Sequence, residues 1–219
     1  MEQLKSGWDL FLLPRTWHKR LNDSLVSLLP GILLVGFFDV LVYRTRSIFL
    51  DFIIGSPAAK AGKALLFILT VAAVGFLDVL CAAWPIADLC RFIARKNNKF
   101  IIPGFNIILM KSYAYSHLLF YPVLLIYNPT GLQMEKLLDR NINPATRIII
   151  IVLYVWSLLQ IAVQPAILLR TVGIKSKLDF SEKLLVAVVM FIWLNLEGQA
   201  IMFIIELAYK LFASLYGMP

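Results

Sequence analysis

The chain has 219 residues, of which 60% are hydrophobic and only 16% charged, and its mean hydropathy is +0.81. Soluble domains hold roughly 45–50% apolar and about 25% charged residues, and disordered chains are poor in the aromatic residues that this one carries as 15 Phe, 8 Tyr and 5 Trp. A water-soluble domain and a disordered polymer are thereby excluded, and the net charge of +8 reads as basic loops beside lipid head groups rather than as a nucleic-acid surface.

In chain order, residues 1–24 read as an interfacial segment. Trp8, Phe11, Leu12, Leu13, Trp17 and Leu21 alternate with Asp9, Arg15, His18, Lys19 and Arg20, and Pro14 breaks the run. Aromatic rings at head-group depth with basic side chains toward water suit a membrane surface. The run Leu10 to Leu13 is too short for a signal-peptide core. Residues 25–212 read as a membrane domain, an all-α polytopic bundle of about five spans at 25–43, 64–86, 113–127, 148–169 and 184–212. A transmembrane helix takes about 20 residues, so five use nearly the whole chain and leave no room for a separate catalytic domain.

The first span holds 13 Leu, Val, Ile or Phe residues, each contributing roughly −0.3 to −0.6 kcal/mol to insertion, enough to carry Asp39 at about +2.5 to +3.5. The second ends in a blurred edge near Pro85 and Asp88, the third contains Pro122 and His117, and the fifth is long for one crossing. Between spans lie turn sequences such as Gly55-Ser56-Pro57, Pro103-Gly104, Asn128-Pro129-Thr130-Gly131 and Asn141-Ile142-Asn143-Pro144. With the N-terminus inside, inner segments carry 13 Lys and Arg against 8 outside, so a cytoplasmic N-terminus is expected. Val35 to Leu41 and Val74 to Leu80 repeat with six identities in seven.

Ionisable residues among lipid tails mark function by default, which makes Asp39 and Asp78 candidates. Each precedes the C-terminal end of its span in helices of opposite direction, so they are expected near opposite faces of the membrane, too far apart to share a proton. On the fifth span Asn195, Gln199 and Glu206 fall on one helical face while Glu197 points the opposite way. On the fourth, Trp156, Gln160 and Gln164 step by four before Pro165. Such stripes act as interhelical hydrogen bonds or line a hydrated cavity. Cys81 and Cys90, nine residues apart, point to opposite sides of a helix, so no disulfide is expected. His117 has no second His and no Cys pair beside it in sequence, and neither a phosphate loop nor a nucleophile elbow occurs. No enzyme activity, cofactor or metal is expected. Arg91, Arg95, Lys96, Lys99 and Lys111, interleaved with Phe92, Phe100 and Phe105, form the densest basic stretch, a candidate contact for anionic lipid at roughly 1 kcal/mol per basic residue or for a membrane protein partner.

Leu13-Pro14-Arg15-Thr16-Trp17 before the first span, Lys111-Ser112-Tyr113-Ala114-Tyr115 with the later Pro122, and Trp156 followed by Gly173-Ile174-Lys175 and Leu178-Asp179-Phe180-Ser181-Glu182-Lys183 give a layout that resembles the Yip1-domain superfamily, in particular its small bacterial members. The resemblance implies a five-helix membrane protein with a cytosolic N-terminus. Eukaryotic members bind small GTPases through a longer cytosolic region with an Asp-Leu-Tyr-Gly-Pro motif, which this chain lacks, so no such residue carries over. The expected function is a non-enzymatic, Yip1-like binding protein in a bacterial-type plasma membrane, or alternatively in an ER or Golgi membrane. The alternative function is a small transporter or permease subunit coupled to protons or cations through its intramembrane carboxylates.

Overall fold

The computed structural model describes residues 7–53, 56–127, 132, 134–139 and 141–216. Among them the chain is helical apart from irregular connections and one isolated bridge between Ile101 and Ser176. Two short helices, α1 (Trp8–Phe11) and α2 (Arg15–Arg20), precede α3 (Leu29–Ile53) and α4 (Pro57–Lys96). After α5 (Phe105–Ser116) come a 3-10 stretch over His117–Val123, the short α6 (Leu124–Tyr127), α7 (Pro144–Lys175) and α8 (Phe180–Tyr216). Gly55 and the turn at 128–131 lie outside the described residues.

Three helices are long and apolar enough to cross a membrane: α4, α7 and the Phe180–Leu207 part of α8; a shorter apolar helix runs over Val26–Val42. The expected second and fourth spans fall inside α4 and α7, and the fifth starts inside α8. The expected third span differs, beginning at Phe105 and breaking at His117. At about 1.5 Å per α-helical and about 2.0 Å per 3-10 residue, residues 105–127 still extend about 38 Å.

Local chemistry sets the helix ends. Ser56 accepts the Ala59 N–H (3.3 Å) ahead of Pro57, and Asn143 accepts that of Ala145 (2.9 Å) ahead of Pro144, so both long helices begin with a cap and a proline whose missing N–H is not needed. At Gly104, before α5, φ is +68°, and a Cβ there would sit 2.3 Å from Asp23 Cβ, so both conformation and space demand glycine.

Prolines inside helices free carbonyls that lipid cannot satisfy. Pro85 leaves the Cys81 carbonyl without its N–H, and the Trp193 indole of α8 donates to it at 2.9 Å. In the 3-10 stretch Pro122 leaves the Leu119 carbonyl, which takes the Trp156 indole (2.8 Å) and the Gln160 amide (2.7 Å) from α7. A tryptophan on a neighbouring helix thus closes the breaks at Pro85 and Pro122.

α4 packs against α3, α5 and α8, and α7 closes on α5 and α8. The buried stripe of α4 is small-residue rich (Ala82, Ala83, Ala87, Cys90, Ala94), which lets helices approach closely without a large apolar driving force. Leu65, Leu69, Ile148, Val152, Leu184 and Phe203 face outward, while Asp78, Gln160, Thr171 and Glu197 are buried. Apolar outside and polar inside is the sorting expected where lipid is the solvent.

The closest approach joins α3 and α4 at the two copies of the repeat. A Cβ on Gly36 would lie 1.9 Å from the Val71 carbonyl oxygen, and one on Gly75 would lie 2.0 Å from that of Ile32. The two antiparallel helices therefore touch backbone to backbone, each through the glycine of its own copy.

The ends of α4 and α7 meet the starts of α3, α5 and α8 at one end of the bundle. Lys99 pairs with Asp179 and with Glu182 (2.7 Å), and Asn97 also donates to Glu182. Lys111 donates to the Asn22 carbonyl (2.7 Å) and side chain (2.6 Å), and Lys175 to the carbonyls of Lys19 (2.8 Å) and Leu21 (2.9 Å). Asp9 pairs with Arg170. The N-terminal segment is thus strapped to the bundle. Its His18 is fully buried, donating from Nε2 to the Leu12 carbonyl (2.9 Å), with Nδ1 at 2.8 Å from the Thr171 hydroxyl. Burial pushes the imidazole below its ordinary value and the nearby Arg170 charge adds to this, against the pull of the Leu12 carbonyl.

Two outcomes follow from this packing. Gly36→Ala or Gly75→Ala should lower the thermal midpoint in detergent by the equivalent of about 1–3 kcal/mol, the usual cost of overpacking, whereas Gly62→Ala, with nothing within 4 Å, should not lower it. For His18, the unfolded chain takes up a proton near pH 6.5 that the folded strap resists. Its stabilisation is complete above that value and is lost as pH falls through the lower folded value. Protection factors of the amides over 8–20, corrected for the intrinsic pH dependence of exchange, should fall on acidification, and His18→Gln should remove the His18 share of that pH dependence.

Candidate functional site

The crossing at Gly36 and Gly75 places Asp39 and Asp78 each three residues further along its own helix, about 4.5 Å beyond the contact in opposite directions. Side chains on a helix lean toward its N-terminus, so both carboxyl groups lean back toward the crossing. The expectation that they lie near opposite faces is therefore corrected: ligand atoms of Asp39, Asp78 and His117 all lie within 4.8 Å of one another. Asp78 is near the middle of α4 because that helix continues to Lys96, well past the expected end of the span.

These groups open on a cavity of about 250 Å³. Its wall includes Phe38 and Asp39 of α3, Asp78 of α4, Tyr113 of α5, and His117, Phe120 and Val123 of the 3-10 stretch. Ser157, Gln160 and Gln164 of α7 and Glu197, Gly198 and Ile201 of α8 also line it. The broken third segment makes this room, since its 3-10 turn brings His117 and Phe120 onto the wall. The Tyr113 hydroxyl donates to Asp78 Oδ1 at 2.7 Å. His117 Nδ1 stands 3.1 Å from the Tyr113 carbonyl oxygen, and Phe120 stacks on the imidazole at 5.2 Å between ring centres. Asp39 Oδ2, Glu197 Oε1 and Gln164 Nε2 are buried without a hydrogen-bond partner. The Glu197 carboxyl approaches that of Asp78 from the α8 side.

Among the described residues no Lys or Arg lines the cavity. Two full negative charges at 4.8 Å repel by about 3–4 kcal/mol at an effective dielectric of about 20, and Glu197 adds a third carboxyl. The cluster therefore requires protons or a bound cation for neutrality.

Of the polar residues expected to matter, the structure brings together Asp39, Asp78, Gln160, Gln164 and Glu197. It does not bring in Asn195, Gln199 or Glu206. Asn195 is exposed and donates to the Phe191 carbonyl (2.7 Å), Gln199 is exposed, and Glu206 pairs with Lys210 (2.7 Å). The stripe of three faces outward, while Glu197, on the opposite face, is the α8 residue that enters the site. Tyr113 and His117 are the residues sequence reasoning missed. Their signal was the spacing of four, which stacks them on one helical face, but their partners come from α3 and α4. In the basic stretch, Arg95 and Lys96 are exposed, whereas Lys99 and Lys111 are engaged internally as above. Arg91 binds Asp88 (3.0 Å) and Asn106 (2.9 Å). Cys81 and Cys90 are free thiols.

In comparisons with known proteins, no family model, no curated protein and no solved structure matches the chain, and nothing there identifies a Yip1 domain.

Tyr113→Phe removes the donor to Asp78 while keeping the ring. It should lower stability by about 1 kcal/mol, the net worth of one hydrogen bond, read as a fall in the thermal midpoint of the detergent-solubilised protein.

Proposed function

We propose that this chain is a small cation-coupled membrane transport protein of five passes, with its N-terminus in the cytoplasm and its ion site in the acidic cavity. The convergence of Asp39, Asp78 and Glu197 on one cavity, with no basic partner among the described residues of its wall, supports this most directly. Asp39 and Glu197 both close on Asp78, and carboxyls so near one another stay together only with a proton or a cation between them. A cation or proton entering the cavity relieves their repulsion, and its departure restores it, which is the coupling a carrier needs.

The repeat supports the same conclusion. Two copies of Val-Gly-Phe-x-Asp-Val-Leu on antiparallel helices, meeting at their glycines, resemble at small scale the inverted repeats that place ion sites near the bilayer midplane. The placement of Arg91, Arg95, Lys96, Lys99, Lys111, Arg170 and Lys175 toward one end of the bundle supports the cytoplasmic assignment of that end. A Yip1-like protein acting by lipid or partner contact has less support, because three of the five basic residues assigned to that contact bind within the chain.

Reconstituted in liposomes and given an inward cation gradient, the wild-type protein should carry protons or metal cations faster than empty vesicles. Asp78→Asn should lose at least about tenfold of that flux while remaining monodisperse, and Asn195→Ala, on the outer face, should keep it. Wild-type flux no greater than in empty vesicles, or undiminished flux in Asp78→Asn, would count against transport.

A further inference from the structure

Resting on the cavity described above as an ion site, we infer that Asp39, Asp78 and His117, with Glu197 as a fourth ligand, form a binding site for a divalent transition-metal ion. Three features beyond acidity point to a metal. The first is the histidine. Its Nδ1–H donates to the Tyr113 carbonyl (3.1 Å), which leaves Nε2 with its lone pair. Metal-ligating imidazoles are held this way, one nitrogen fixed by a carbonyl and the other presented to the ion. Phe120 stacked at 5.2 Å and Tyr113 edge-on at 4.9 Å fix the ring plane.

The second is the support behind the carboxylate. Tyr113 uses its hydroxyl on Asp78 Oδ1 (2.7 Å) and its carbonyl on His117, so one residue orients two of the ligands, as outer-shell groups do around metals. The third is Glu197, only 5% exposed, on the cavity wall and with Oε1 unpartnered. Its carboxyl closes on that of Asp78, a contact that two carboxyls keep only with a proton or a cation between them.

The donor chemistry narrows the ion. One imidazole and up to three carboxylates suit zinc, manganese or iron(II) better than magnesium or calcium, which favour oxygen alone, and no thiolate is present among the lining residues to select copper(I). Bonds of about 2.0–2.2 Å put tetrahedral donors about 3.3–3.6 Å apart, against up to 4.8 Å here. Binding therefore draws these three side chains inward, and Glu197, which lies outside that 4.8 Å group, further still. A divalent ion with three carboxyls, one of them protonated, leaves the cavity neutral.

The chelator-stripped, detergent-solubilised protein should be titrated with zinc by calorimetry and with manganese by electron paramagnetic resonance. The expected result is one saturable equivalent per chain and a metal-dependent rise in thermal midpoint, neither produced by magnesium. His117→Gln and Asp39→Asn should each weaken binding by at least about 10–100-fold, the cost of losing even an outer-shell partner. Asp39 is only half-buried, so its variant serves if the histidine variant fails to fold. Absence of saturable binding, or affinity unchanged in Asp39→Asn, would overturn the metal site. Proton flux in vesicles without metal affinity would overturn it and leave transport standing. Stoichiometric metal binding without any flux would uphold it and remove transport.

Discussion

The contact on which the rest depends is the meeting of α3 and α4 at Gly36 and Gly75. Each glycine sits where even a methyl group would overlap the other helix's backbone by more than an ångström. Nothing but hydrogen allows this approach, and the approach decides where the acids go. Each Asp follows its glycine by three residues, and the backward lean of helical side chains turns two opposite displacements into one meeting point. A looser crossing would return the acids to separate depths, each facing lipid or a single neighbouring helix.

Around this pair the bundle solves a problem that prolines create. Pro85 and Pro122 each free a carbonyl in an environment that offers no water, and Trp193 and Trp156 answer from α8 and α7. The same links pin α8 to α4 and α7 to the 3-10 stretch, so the two helices that bring Glu197 and the glutamine stripe to the cavity are held by the repair of the breaks. At the far end, Lys99, Lys111 and Lys175 hold the helix ends and the N-terminal strap together. Basic residues there tie the chain to itself.

The long apolar helices were legible from composition and periodicity, and so was the repeat at 35–41 and 74–80. Its meaning was not, because helix direction alone suggested that its acids separate, and only the crossing point shows that they meet. Glu197 illustrates the same limit from another side. Three polar residues on one face of α8 looked like the inward stripe, yet that face is exposed, since the number of polar residues on a face does not say which neighbour packs against it. The expected third span begins eight residues after the observed helix, because Lys111 and the polar residues before Tyr113 have the composition of a loop, whereas Asn22 satisfies the Lys111 ammonium and lets the helix begin at Phe105. His117 stood alone in sequence, its partners 39 and 78 residues up the chain from the other ends of a three-dimensional contact.

The juxtaposition of the two aspartates is open to direct measurement by chemistry in the native membrane. In a chain with Cys81→Ser and Cys90→Ala, the pair Asp39→Cys and Asp78→Cys should be joined by mild oxidation or by a short bifunctional thiol reagent. The cross-link would appear as loss of both thiols to alkylation within a single chain. Two thiols that remain separately alkylatable in the folded protein would contradict the meeting of α3 and α4 from which the cavity is built.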